Sequence, residues 1–120
     1  MNLNKLMKLA RKLALKSTHP KHKMSCIVFK HNTILSFGCN AIKTHPRSFD
    51  RWKMLHAELD SILNVDAKDL DGASVLVYRE RRSGGPGLAK PCPSCEKMLS
   101  QLNIKKVFYT TENDLKSYEL

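Results

Sequence analysis

Two short segments of this chain bring together residue types that perform hydrolytic chemistry. His56-Ala57-Glu58 supplies an imidazole and a carboxylate, and Pro91-Cys92-Pro93-Ser94-Cys95 supplies two thiols. Catalytic zinc is held by three protein groups of these kinds, with the fourth position kept for water. His56, Cys92 and Cys95 fill the three places. Two thiolates balance a divalent ion, the neutral imidazole completes an uncharged set, and the water beside zinc then ionises with a pKa lowered to roughly 7. Glu58 is the candidate proton carrier, because a carboxylate next to that water can take its proton and deliver it elsewhere. As a fourth ligand it would close the open position. Cys-x-x-Cys by itself is also the spacing of a structural zinc half-site or a redox pair. A structural site wants another Cys or His at ligand spacing, and a redox pair leaves His-Ala-Glu unexplained. Cys26 and Cys39 lie in apolar runs and read as small buried hydrophobes.

These groups do chemistry only if the fold makes them converge. Leu3, Leu6, Met7, Ala10, Leu13 and Ala14 recur at helical spacing, which predicts a helix over 3–17 ended by His19-Pro20. The apolar run 24–29 predicts a strand buried on both faces, turning at His31-Asn32 into a second strand over 34–39. Residues 41–53, with Pro46, read as a loop. A helix follows over 54–65, with Leu55, Leu59, Ile62 and Leu63 as its buried stripe, and then a strand over 73–78. The segment 79–90 contains Gly84, Gly85, Pro86 and Gly87 and reads as a loop. Pro93 can start a helix over 92–103, followed by a strand over 105–111, a turn at 112–114 and a short returning strand over 115–120. This order predicts one α/β domain over 1–120, with a mixed sheet between helices. His56 and Glu58 then open one helix, while Cys92 and Cys95 open another with both thiols on one side. Abutting helix starts would favour thiolates through their exposed N–H groups and dipoles.

Composition adds a constraint on partners. The formal net charge is +10, from 21 Lys and Arg against 11 Asp and Glu. Such a surplus suits phosphate-bearing partners, nucleotide or polynucleotide, and serves solubility equally well. No apolar run approaches the roughly 20 residues of a membrane span, so no membrane association is expected. Residues 1–16 are interrupted by Lys5, Lys8, Arg11, Lys12 and Lys16, and read as an amphipathic helix that stays on the protein rather than a signal peptide. The cysteine usage suggests metal binding or catalysis before disulfides.

The pattern H-x-E…P-C-x-x-C is the described signature of zinc-dependent nucleobase deaminases. On these residues the chain resembles the cytidine and deoxycytidylate deaminase superfamily, and Gly38-Cys39-Asn40 is similar to the family's Gly-x-Asn after the second strand. The resemblance implies a three-layer α/β/α cytidine-deaminase-like fold with a mixed central sheet. It also implies Zn2+ on His56, Cys92 and Cys95, Glu58 as the catalytic proton carrier, Asn40 against the substrate sugar, and the Ala57 backbone near the pyrimidine. Free cytidine deaminases usually carry a cysteine as first ligand and an acidic residue two positions after the asparagine. Here those places hold His56 and Ile42, and Lys43, His45 and Arg47 follow. Such cations suit a phosphate, so Lys43 and Arg47 are candidate substrate contacts; their alternative is a solvated face.

The similarity to small phage and bacterial members implies a free nucleotide resembling dCMP as substrate, a cytoplasmic setting and a homo-oligomer. Two alternatives stand beside it. One is a polynucleotide deaminase acting on tRNA adenosine or single-stranded DNA cytosine, for which Phe49 and Trp52 are the available base stackers. The other is a zinc-stabilised module that binds single-stranded nucleic acid without catalysis. The 79–90 loop, with Arg79, Arg81 and Arg82, could cradle phosphate through its N–H groups. A gate or a contact with a neighbouring subunit is preferred, since no helix start completes a phosphate loop there.

Overall fold

The computed structural model describes residues 2–17, 23–42, 54–63 and 65–120. In chain order its elements are α1 (Leu3–Ala14), β1 (Lys23–Lys30), β2 (Thr33–Cys39), β3 (Ala41–Ile42), β4 (Met54–Leu55), α2 (Ala57–Ile62), α3 (Ala67–Leu70), β5 (Ser74–Glu80), α4 (Pro93–Gln101), β6 (Lys106–Thr110) and β7 (Leu115–Glu119). Five strands form one mixed sheet in the order β2-β1-β5-β6-β7. The β5–β6 pair is parallel and joined through α4, while the other neighbours are antiparallel. Strands β1 and β5 are apolar at successive positions because both faces are covered. Ile27, Phe29, Leu76 and Tyr78 meet Leu6, Ala10, Leu13 and Ala14 of α1. Cys26, Val28, Val75 and Val77 meet Leu59 and Ile62 of α2 and Leu99 of α4 on the other side. The result is the expected three-layer α/β/α arrangement. No helix among the described residues is long and apolar enough to cross a membrane.

Helix α1 starts where the Asn2 side chain accepts the N–H groups of Asn4 and Lys5, at 2.9 and 3.3 Å. It is docked by Ser25, whose hydroxyl donates to the Ala10 carbonyl at 2.6 Å. It ends at Ala14, short of the predicted 17, because Leu15 is 51% exposed and Ser17 turns inward to another partner.

The helix predicted from 54 starts only at Ala57. Met54 and Leu55 pair with Ile42 and Ala41 in a two-stranded ladder instead, and an apolar pair before a helix does not reveal that choice. The same helix stops at Ile62, and the single turn α3, which sequence periodicity is too short to register, buries Leu70. Strand β5 runs on through Arg79 and Glu80, read from sequence as loop, because β1 offers Met24 and Lys23 as their partners. Glu80 is tolerated there because Tyr78 donates to it at 2.7 Å and Arg11 lies 3.3 Å away. The turn between β1 and β2 puts His31 at φ 55, and Asn103 at φ 61 follows α4. Asparagine is among the residues that accept that left-handed conformation after a helix.

Candidate active site

Both chemical segments sit where extended chain becomes helix. From β4 the backbone stays extended at His56 (φ −72, ψ 145) and then enters α2, and Cys92 (φ −67, ψ 162) likewise precedes α4, with Pro93 in its first turn. Neither side chain caps its own helix. They turn toward each other instead: His56 Nδ1 lies 3.4 Å from Cys95 Sγ and 3.9 Å from Cys92 Sγ. All three ligand atoms fall within 4.8 Å of one another. Zinc bonds of their usual lengths set at tetrahedral angles separate a nitrogen from a sulfur by about 3.6 Å. The observed spacings bracket that value, so the three side chains fit a zinc ion without rearrangement of the backbone. Burial, then the Glu58 charge and neighbouring Cys92, push the Cys95 thiol well up. A cation beside Cys95 is therefore what this thiol needs in order to become a thiolate.

Glu58 is one residue into α2 and only 4% exposed. Burial pushes its carboxyl above the ordinary carboxylate range, while a backbone hydrogen bond, His56 and Cys95 pull in the opposite direction. It borders a cavity of about 210 Å³ together with His56 and Ala57, Cys92 and Lys90 from the segment before α4, Met24 of β1, and Asn40 just after β2. Of the substrate contacts expected from sequence, Asn40 and Ala57 are thus brought together with the ligand set. Lys43 and Arg47 lie outside the described residues, as do the base stackers Phe49 and Trp52. Cys26 is fully buried, and burial and then the Glu58 charge push its thiol well up, as befits a small core hydrophobe. Cys39 is only half-buried.

Residues outside the ligand set and Glu58 hold these groups in place. The Asn40 side-chain oxygen accepts the Met24 N–H at 3.0 Å and the Ser17 hydroxyl at 2.5 Å, which fixes the direction of its amide. Ser17 and Asn40 are both nearly fully buried. Gly38 lies flat on α2. A methyl group there would sit 2.6 Å from Ser61 N and 2.9 Å from Asp60 C, while the next N–H, of Cys39, donates to the Asp60 carboxylate at 3.1 Å. Thr110, fully buried at the end of β6, donates to Gly87 O at 2.7 Å and accepts the Arg79 N–H at 3.3 Å. Its own carbonyl takes the Ala89 N–H at 2.9 Å, so the chain is pinned just before Cys92. Ser and Thr give no sequence signal of such roles, although Gly38 beside Asn40 could have been read as a point of close approach.

The glycine loop proves self-contained. Gly84 N–H donates to Arg81 O and Arg81 N–H to Gly85 O, both at 2.9 Å, and Gly87 N–H donates to Arg79 O at 2.8 Å. Those amides are satisfied by the loop's own carbonyls, which removes them from a phosphate cradle.

The sequence profile of the cytidine and deoxycytidylate deaminase zinc-binding region matches residues 1–111. The chain belongs to this family. It is 25% identical over 123 residues to a probable deoxycytidylate deaminase of Caenorhabditis elegans, covering 92% of this chain and 57% of that protein. It is 30% identical over 100 residues to a deaminase of the luxG 3′ region of Aliivibrio fischeri, itself uncharacterized, covering 77% of this chain and 60% of that protein. The chain thus spans under two thirds of the length of these curated relatives. Among solved structures, the apo crystal structure of dCMP deaminase from the cyanophage S-TIM5 superposes with a TM-score of 0.68 at 27% identity, covering 92% of this chain and 83% of that one.

Proposed function

We propose that this chain is a single-domain zinc-dependent hydrolase that deaminates the cytosine of a free nucleotide, with dCMP as the leading substrate. The observation that carries the reading is the convergence of His56, Cys92 and Cys95 beside buried Glu58 on the wall of one cavity. The cavity, at about 210 Å³, is smaller than the roughly 300–1,000 Å³ of pockets that enclose whole drug-sized ligands. That size suits a pyrimidine ring. The similarity to the cyanophage dCMP deaminase supports the choice of a monophosphate.

Zinc held by His56, Cys92 and Cys95 would supply a Lewis acid that lowers the pKa of a water toward about 7. Glu58 is placed to take a proton from the attacking water as the water oxygen bonds to C4 of the ring, and to pass it to the ring nitrogen N3. Glu58 then moves the remaining proton of that water, now on the C4 hydroxyl, to the amino group; the C4–O bond becomes the carbonyl as the C4–N bond breaks, and ammonia leaves with the uracil form behind. Asn40, held by Met24 and Ser17, orients the sugar, and the Ala57 backbone borders the ring.

The test is ammonia release from a panel of cytosine, cytidine, dCMP, dCTP, adenosine nucleotides and single-stranded oligonucleotides. Release from dCMP in preference to the others is expected. Preference for an oligonucleotide would move the reading to a polynucleotide deaminase. Glu58→Ala should abolish turnover while bound zinc, measured by metal analysis, stays near one ion per chain. Retained turnover in that variant would remove Glu58 from the mechanism.

A further inference from the structure

The small cavity has a larger neighbour. A groove of about 640 Å³ runs beside α4 and β7, with Pro93, Lys97, Ser100 and Tyr118 among its walls. Lys90 is the residue that the two spaces share. It is exposed, it immediately precedes Pro91-Cys92, and its ammonium lies 5.4 Å from the centre of the Tyr118 ring. That ring is itself anchored, because the Tyr118 hydroxyl donates to Glu96 at 3.1 Å. A cation over an aromatic face at an exposed site is weakly held, so the ammonium can exchange the ring for an anion. The ion pair found among the described residues is Arg11–Glu80; no carboxylate there is directly paired with Lys90, and Glu96 and Glu119 also line the groove. Lys90 is also the cation that the described lining of the smaller cavity contains.

The size of the smaller cavity decides what the cation meets. A pyrimidine ring takes up much of about 210 Å³, so the sugar and whatever it carries extend beyond the ring toward the cavity's rim, and Lys90 is the lining residue that also borders the groove. A phosphate at that mouth gains a charge-assisted bond to an ammonium, whereas a hydroxyl in its place gains far less. We propose that Lys90 is a specificity-determining residue that receives the 5′-phosphate of the nucleotide whose base occupies the cavity. The assignment rests on the deaminase reading above and adds to it the residue that separates nucleotide from nucleoside.

The experiment compares kcat/KM for dCMP and for deoxycytidine in the wild type, Lys90→Met and Lys90→Arg. The dCMP-to-deoxycytidine ratio is expected to fall about 10- to 100-fold in Lys90→Met. Lys90→Arg should recover most of it, and the wild-type ratio should shrink as salt screens the contact. A ratio unchanged by Lys90→Met, or an equal loss on both compounds, overturns the proposal. If the wild type releases ammonia from neither compound, the deaminase reading fails and binding decides the role of Lys90. In that case calorimetric titration with dCMP and with deoxycytidine should show a loss of dCMP affinity in Lys90→Met, and equal affinities in the two proteins would overturn it.

Discussion

Gly38→Ala is the smallest change that should disturb the site from outside it. Gly38 pairs with Cys26 across the β1–β2 ladder, and its open side faces the backbone of α2. An added Cβ would lie 2.6 Å from both Ser61 N and Asp60 Oδ2 and 2.9 Å from Asp60 C. Ordinary contacts between heavy atoms need about 3.5–4.0 Å, so α2 would have to retreat by about 1 Å. Two of the three neighbours are backbone atoms, so a rotamer change cannot absorb the displacement. The retreat also strains the Cys39 N–H bond to Asp60, now 3.1 Å. Overpacking of this kind costs about 1–3 kcal/mol, or about 4–12 °C in Tm for a domain of this length.

The same retreat carries His56 and Glu58 with the helix. Metal sites tolerate displacements of about 0.2 Å, so zinc affinity should fall along with stability. A 1 Å misplacement of reacting groups costs turnover about 100-fold. Thermal melts with and without zinc, a competitive zinc titration and dCMP turnover together read all three effects. A Gly38→Ala protein with wild-type Tm and zinc affinity would refute the reasoning, since α2 would then have yielded without moving its first residues.

Three other outcomes follow from the same contacts. Removing zinc with a chelator should lower Tm reversibly; an ion present at 100 times its Kd contributes about 2.7 kcal/mol, or about 10 °C here. Cys92→Ser should abolish that response. Ser17→Ala removes the hydroxyl that Asn40 accepts, and should raise KM for the nucleotide while costing about 1 kcal/mol of stability by denaturant titration; an unchanged KM would detach Ser17 from Asn40's role. Tyr78 and Tyr118 are held above their ordinary pKa of 10.0, chiefly by burial and by hydrogen bonds to Glu80 and Glu96. The unfolded chain therefore loses these protons first, so their contribution is complete below pH 10.0 and declines as pH rises above it. Tyr118→Phe should flatten the alkaline loss of Tm, and an identical profile would count against it.

The sequence disclosed what has a period or a rigid spacing. The run around Val28 and the stripe Leu6, Ala10, Leu13 announce a doubly covered strand and a helix, and Cys92 and Cys95 announce a ligand pair, because each pattern is dictated by backbone geometry. It did not disclose what depends on partners distant in the chain. Met54 and Leu55 look equally apt for a helix, and only Ile42 and Ala41 make them a strand. Glu80 reads as loop until Tyr78 and Arg11 are seen to satisfy it. Ser17 and Thr110 are chemically ordinary, and their hydrogen-bond partners lie 23 residues away or more.

The ligand set also straddles two parts of the fold that are built separately. His56 stands on α2, which rests on β1 and β2 and is located by Gly38 and Asp60. Cys92 and Cys95 belong to the β5–α4–β6 crossover, located by Thr110 through Gly87 and Ala89. An ion joining Nδ1 to the two sulfurs would therefore tie the hairpin side of the sheet to its parallel side, at a cavity whose walls come from both. The β1–β5 ladder already joins these two parts, and a cross-link added on the helix side of the sheet would further restrict the motion of α2 against α4. This is why Gly38→Ala, which pushes on one side alone, should weaken the metal site more than a loss of core packing of equal cost that leaves α2 in place.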